Sequence, residues 1–235
     1  MSNLITTITK ALHEHAEPEY KAGVTRFFKE SVNPIGVRVP IVRTLGKKYY
    51  PKELQKKEIF SLCETLLEKR TLEHTILAFA WARNQEKDLV PSDFARLSRW
   101  IKTYVTNWAF CDDICTHTFG SLIYQYPTLL PKIFVWTTSR NRWLRRAAAV
   151  TLIHSIKKRE KNILPHVYAT TEALLHDRDD LVQKGYGWML KEASNIWPAD
   201  VYAFVLKHKD VMPRTALRYA VEKYPKEMKQ HAMTK

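Results

Sequence analysis

Six glycines in 235 residues, and no Asn-Gly or Asp-Gly pair anywhere, leave this chain almost without the turn residues that β-hairpins require. Prolines stand instead at positions that suit helix starts, namely Pro91, Pro131, Pro165, Pro198 and Pro213. The chain reads as nearly all helix. Apolar spacing agrees: Ile76, Phe79 and Ala80 share a face in ILAFAWARN, and Phe94, Leu97, Ile101 and Val105 do so in FARLSRWIKTYV. Both faces are expected to be buried.

Internal repetition narrows the fold further. The stretches NWAFCDDICTHTFG, NRWLRRAAAVTLIHSIKK, DLVQKGYGWMLKEAS and DVMPRTALRYAVEK each open a helix and succeed one another at roughly 30–40 residues. Trp108 and Trp143 are 35 apart, and Arg146 and Lys184 are 38 apart, about one antiparallel helix pair of HEAT or armadillo size. The expected fold is all-α, an α-solenoid of HEAT-like helix pairs whose second helices line a concave basic face. No linker rich in Gly, Ser or Pro interrupts it, so one domain is expected over residues 1–235.

Lys and Arg number 38 against 24 Asp and Glu, a formal charge of +14, so the long-range field attracts a polyanion and nucleic acid is the first candidate partner. Three cysteines are too few for a disulfide scaffold and fit a reducing cytosol. The start MSNLITTITKALHEH has no signal-peptide pattern, and no long apolar run occurs, so a soluble, unprocessed protein that avoids membranes is expected. There is no glycine-rich phosphate loop, no GxSxG elbow and no HExxH. The CxxxCxH spacing of Cys111, Cys115 and His117 fits neither a common zinc finger nor a zinc deaminase, so neither a metal nor a cofactor is expected. IKKREKN at 156–162 reads as a charged loop.

Chemistry concentrates in three of the repeats. Trp108 and Asp112 are four apart and address one ligand from one helix face, while Asp113 points about 100° away. A core indole and a carboxylate paired with a nearby arginine are the structural alternatives. RNRWLRR gathers Arg140, Arg142, Arg145 and Arg146 at a helix start, a phosphate-binding composition, with a solvated face as the alternative for Arg140 and Arg142. VQKGYGWMLKEAS sets Lys184, Trp188 and Lys191 at i, i+4 and i+7. Its two mid-helix glycines, Gly185 and Gly187, each cost roughly 0.5–1 kcal/mol against alanine, which points to close approach of another helix or of a ligand backbone.

Together NWAFCDDI, NRWLRRAAA and VQKGYGWMLKE resemble the three active-site helices of the AlkD family of HEAT-like-repeat bacterial DNA alkylation repair glycosylases. IGVRVPIVRTL resembles that family's Gly-x-x-x-Pro segment, so the likeness spans nearly the whole chain. The resemblance implies a monomeric monofunctional glycosylase of the bacterial cytoplasm, nucleoid-associated when bound to DNA. It would grip duplex DNA and release cationic N3- or N7-alkylated purines without flipping the base. By the same likeness Trp108 and Trp188 flank the damaged nucleotide's sugar, Asp112 is the catalytic carboxylate, and Arg146 contacts the backbone. Lys191 stands where the family often has arginine, and Arg38 where glutamine also occurs; with Arg145 and Lys184 they complete the expected DNA-binding set.

The chemistry is consistent on its own terms. An alkylated cationic purine departs neutral and needs no general acid, so the enzyme must stabilise positive charge developing on the deoxyribose. An aspartate, with an ordinary pKa of roughly 3.9, supplies a negative charge at neutral pH. Two other readings stay open. One is a DNA-binding relative of the same fold with little or no excision, recognising damaged or branched DNA. The other is a HEAT-type protein scaffold, which predicts no steep salt dependence of DNA affinity.

Overall fold

The computed structural model describes residues 2–234, which contain helices, turns and no strand. Met1 and Lys235, the ends of the range expected to form one domain, lie outside the described residues. Two compact units emerge, Met1–Asp113 and Ile114–Lys235. The first holds α1 (Ser2–Glu14), α2 (Pro18–Phe27), α3 (Val39–Lys48), α4 (Lys56–Glu68), α5 (Leu72–Arg83), α6 (Asp93–Tyr104) and the start of α7 (Trp108–Thr116). The second holds α8 (Thr118–Gln125), α9 (Leu130–Phe134), α10 (Arg142–Val150), α11 (Leu152–Lys157) and α12 (Leu164–Leu174). It continues through α13 (Asp180–Ser194), α14 (Pro198–His208), α15 (Arg214–Ala220) and α16 (Lys226–Met233).

The fold is all-α and of the HEAT-like α-solenoid class, as the repeat spacing predicts. In the first unit α4 and α3 both pack on α5; in the second, α12 and α14 pack on α13, which also packs on α10 and α15. The four repeated stretches supply α7, α10, α13 and α15. Three of these starts share one device. Asn107 Oδ1 accepts from the Phe110 amide at 3.0 Å, Asn141 Oδ1 from the Trp143 amide at 2.9 Å, and Asp179 Oδ1 from the Leu181 amide at 3.0 Å. Each such cap contributes about 1 kcal/mol by satisfying an amide that the helix leaves open. Pro131, Pro165 and Pro198 occupy first or second helical positions, and Pro213 directly precedes α15.

Leu97, Ile101 and Val105 are buried as the spacing predicts, while Phe94 in the first turn of α6 is only half-buried. On α5 the prediction needs correcting. Phe79 is buried, but Ile76 and Ala80 are only half-buried, while Leu77, Ala78, Trp81 and Ala82 are covered. A helix packed on several sides is apolar nearly all round, so its periodicity carries little directional information. Of IKKREKN, expected as a loop, Ile156 and Lys157 end α11, residues 158–160 turn with Arg159 at φ 60, and Lys161 and Asn162 open a short 3₁₀ helix before α12.

One charged cluster ties α4 to α6. Glu64 accepts from Arg96 (2.9 and 2.6 Å), Arg99 (2.6 Å) and the Trp100 indole (2.8 Å). Burial opposes its charge, yet the hydrogen bonds from Arg96, Trp100 and Arg99 hold its carboxyl down at about 2. A depressed folded-state pKa gives stability that is present above the unfolded carboxylate range and lost as pH falls towards 2. Glu64→Gln is therefore expected to lower stability by roughly 2 kcal/mol at pH 7, less than for a fully buried pair because Arg99 is 63 % exposed. Urea melts of both proteins should converge as the pH approaches 2; a constant gap across that range would contradict the assignment.

Candidate functional site

On α7 the residues Phe110, Cys111, Ile114 and Cys115 are buried, which turns Trp108 and Asp112 towards the less covered side. Both are half-buried, one helical turn apart, and neither is sealed in the interior. The Trp108 ring meets Phe28 at 5.8 Å and the edge of Phe27 at 6.2 Å. Phe27 is 68 % exposed, unusual for so large an apolar side chain. Below α2, which buries no residue of its own, lies a cavity of about 600 Å³ lined by Tyr20, Val24, Phe27, Phe28, Ile76 and Ala109. Asp113 stands beside Asp112 on α7, also half-buried. Burial pushes its carboxyl up, Arg83 and then Arg43 pull it back down, and the charge of Asp112 adds to the upward push.

The segment that bears Arg38 is built from the inside. The fully buried Glu73 carboxylate accepts from the amides of Ile35 (2.8 Å), Gly36 (2.8 Å) and Val37 (3.0 Å). Gly36 sits at φ 112, and a Cβ there would lie 2.9 Å from the Glu17 carbonyl, so only glycine lets α2 and this segment meet. Arg38 then forks onto Glu17 with three hydrogen bonds of 2.8–3.1 Å and lies 5.2 Å from the centre of the Tyr20 ring. The hydrogen bond from Arg38 lowers the Glu17 pKa, and the same contact raises that of Arg38. Arg38 is 58 % exposed yet committed to Glu17, the N-cap residue of α2.

In the second unit the expected cations are also engaged. Arg145 meets Asp177 at 2.6 and 3.3 Å and donates to the Ser139 and Arg140 carbonyls at 2.9 and 3.3 Å. Arg146 is 5 % exposed and donates to the Leu181 carbonyl at the start of α13. A Cβ at Gly185 would stand 3.1 Å from the Arg146 Cγ, so that glycine makes room for the arginine. Lys184 pairs with Asp180 at 2.9 Å, and Lys191 with Glu222 at 3.3 Å. Trp188 is half-buried, and its indole N–H donates to Glu192 Oε1 at 2.8 Å. Thus Trp108 and Asp112 lie together on α7, whereas Trp188, Arg145, Arg146, Lys184 and Lys191 surround the junctions of α10, α13 and α15.

Several residues of this site were missed from sequence. Glu192 repeats, one turn after Trp188, the indole–carboxylate spacing of Trp108 and Asp112, and that signal was present to be read. Phe27, Phe28, Glu17, Arg43 and Arg83 reach the site only through tertiary packing, which no local spacing reveals.

A family model of DNA alkylation repair enzymes matches residues 8–224 of the chain. Among solved structures, one described as a predicted DNA alkylation repair enzyme from Enterococcus faecalis superposes with a TM-score of 0.78 at 20 % identity. The match covers 90 % of this chain and 98 % of that one. At such identity the likeness speaks for the fold alone. The chain matches none of the curated proteins compared with it.

Proposed function

The chain belongs to the DNA alkylation repair enzyme family, and on that premise we propose that it is a monofunctional DNA glycosylase, one domain over residues 1–235, that acts on duplex DNA carrying cationic N3- or N7-alkylated purines. The observation that carries this reading is the pairing of Trp108 and Asp112 one turn apart on the open side of α7, in a chain of net charge +14. Lys and Arg attract the polyanion; the indole and the carboxylate favour a cation within it. As the bond from C1′ to the purine nitrogen breaks, its electron pair leaves with the base, which departs neutral. Positive charge then grows on the sugar, where Asp112 opposes it and the Trp108 face adds cation–π attraction of roughly 0.5–2 kcal/mol. Water adds to C1′ with Asp112 orienting it and yields an abasic site, its proton passing to solvent. Trp188 is proposed as the second indole against the sugar. Arg38, Arg145, Arg146, Lys184 and Lys191 are proposed as the cations that face the backbone.

Because the lesion supplies its own charge, no general acid is required; excision without flipping the base and without a lysine Schiff base is proposed with it. A monomer working in the bacterial cytoplasm fits this reading, and no described helix is long and apolar enough to cross a membrane. The direct test is to incubate the purified protein with methylated duplex DNA and identify any liberated base by chromatography. Release of 7-methylguanine or 3-methyladenine supports the proposal. Duplex binding without release would favour the non-excising relative instead.

The latch on Arg38 gives a second expectation. A phosphate must compete with Glu17 for that guanidinium, so Glu17→Gln should tighten duplex binding a few-fold and steepen the salt dependence by about one unit of slope. Fluorescence anisotropy across a salt series reads both. Unchanged affinity and slope would remove Arg38 from the DNA-binding set.

A further inference from the structure

The first unit holds two cations that sequence reasoning passed over. Arg43, on α3, is exposed, and among the described residues no ion pair within 4.0 Å is seen for it; Arg83, the last residue of α5, is 55 % exposed with Glu86 no nearer than 3.9 Å. The helices that carry them lead to α7: α3 packs on α5, and Phe79 of α5 meets Phe110 of α7 edge-on at 6.2 Å. That packing brings both guanidinium groups close enough to act on the charge of Asp113, beside Asp112. Arg43 on α3 and Arg83 on α5 thus act on the charge of Asp113, the residue next to Asp112 on α7.

An acid pair that must approach a polyanion faces a conflict. The carboxylates that favour a cationic sugar repel the flanking phosphates at the same short range, and only intervening positive charge offsets this. Arg43 and Arg83 supply it where it is needed. Planar guanidinium groups also offer paired N–H donors that match phosphate oxygens, which lysine does not.

We propose that Arg43 and Arg83 form a phosphate-binding pair that holds the backbone of the DNA strand presented to Asp112, an assignment that rests on the DNA-repair reading above. Without DNA, Asp113 is their counter-charge. It stands on the helix of Asp112, so the protein keeps this patch near neutrality until a phosphate arrives.

The test compares the full-length wild type with Arg43→Gln, Arg83→Gln, Asp113→Asn and, as a control for net charge alone, Lys226→Gln at the exposed start of α16. Affinity for a fluorescent duplex is measured by anisotropy across a salt series, and base release from methylated duplex in parallel. Each arginine variant is expected to bind about tenfold more weakly at low salt, with the slope of log affinity against log salt reduced by about one, as for one lost phosphate contact. Lys226→Gln is expected to keep the wild-type slope, and Asp113→Asn to bind a few-fold more tightly. Arginine variants with the wild-type slope, or with no greater loss than Lys226→Gln, overturn the phosphate pair. Weaker binding by Asp113→Asn overturns the counter-charge role. Base release by the wild type separates the two levels: release with unaltered arginine slopes sinks the pair alone, and absence of both release and duplex binding sinks the repair reading with it.

Discussion

Asp112→Asn is expected to reduce base release from methylated duplex DNA by roughly 10²–10³-fold while leaving duplex affinity within a few-fold of wild type. Asparagine keeps the shape of the side chain and removes the charge. A carboxylate at about 4 Å from a developing unit charge, in an effective dielectric near 20, interacts by about 4 kcal/mol. Part of that is present before reaction, since an alkylated purine is already cationic, so only the share arising as charge moves onto the sugar appears in the rate. Single-turnover kinetics separate this from binding. Equal rates for the two proteins would remove the carboxylate mechanism, whereas a pure loss of affinity would make Asp112 a binding residue.

The two adjacent aspartates of α7 are proposed for different roles. Adjacent helix positions point about 100° apart. Asp112 lies on the side that Trp108 shares; both acids are half-buried, and Asp113 feels its own burial and then the charges of Arg83 and Arg43. Trp188 is fixed by Glu192 in the same one-turn relation. The second unit therefore presents an indole with a carboxylate as well, on a helix that Arg146 anchors from α10.

Helix class, repeat phase and the indole–acid pair were legible in the sequence because each is written in local spacing. Scarce glycine and helix-start prolines excluded hairpins, and a repeat of one helix pair located α7, α10, α13 and α15. The partners of the cations were not legible. Arg38 meets Glu17 21 residues away, Arg145 meets Asp177 32 residues away, and Lys191 meets Glu222 31 residues away. Those separations are set by how one helix pair stacks on the next. A run such as RNRWLRR shows positive charge but cannot show that Arg145 spends it on α13's entry loop. The burial of Arg146 was equally hidden, since its stem is covered by a glycine from another repeat.

Gly187→Ala is expected to destabilise the protein by about 3 kcal/mol, and Gly185→Ala by no more than about 1 kcal/mol, although both sit in the middle of α13. Alanine in a helix interior ordinarily adds about 0.5–1 kcal/mol over glycine, and the two positions share that benefit. They differ in what a methyl group would strike. At 185 it meets Arg146 Cγ at 3.1 Å and Nη1 at 3.3 Å, a side chain able to shift by a few tenths of an ångström. At 187 it meets the Ala216 carbonyl oxygen at 2.8 Å, the Ala216 Cα at 3.1 Å and the Tyr219 Cβ at 2.8 Å, all on α15. Backbone cannot yield there without prising α15 from α13. The sequence posed both glycines as sites of close approach by a helix or a ligand, and packing of α15 on α13 accounts for Gly187. Equal losses for the two variants in urea denaturation would refute this distinction between a yielding side chain and an unyielding helix.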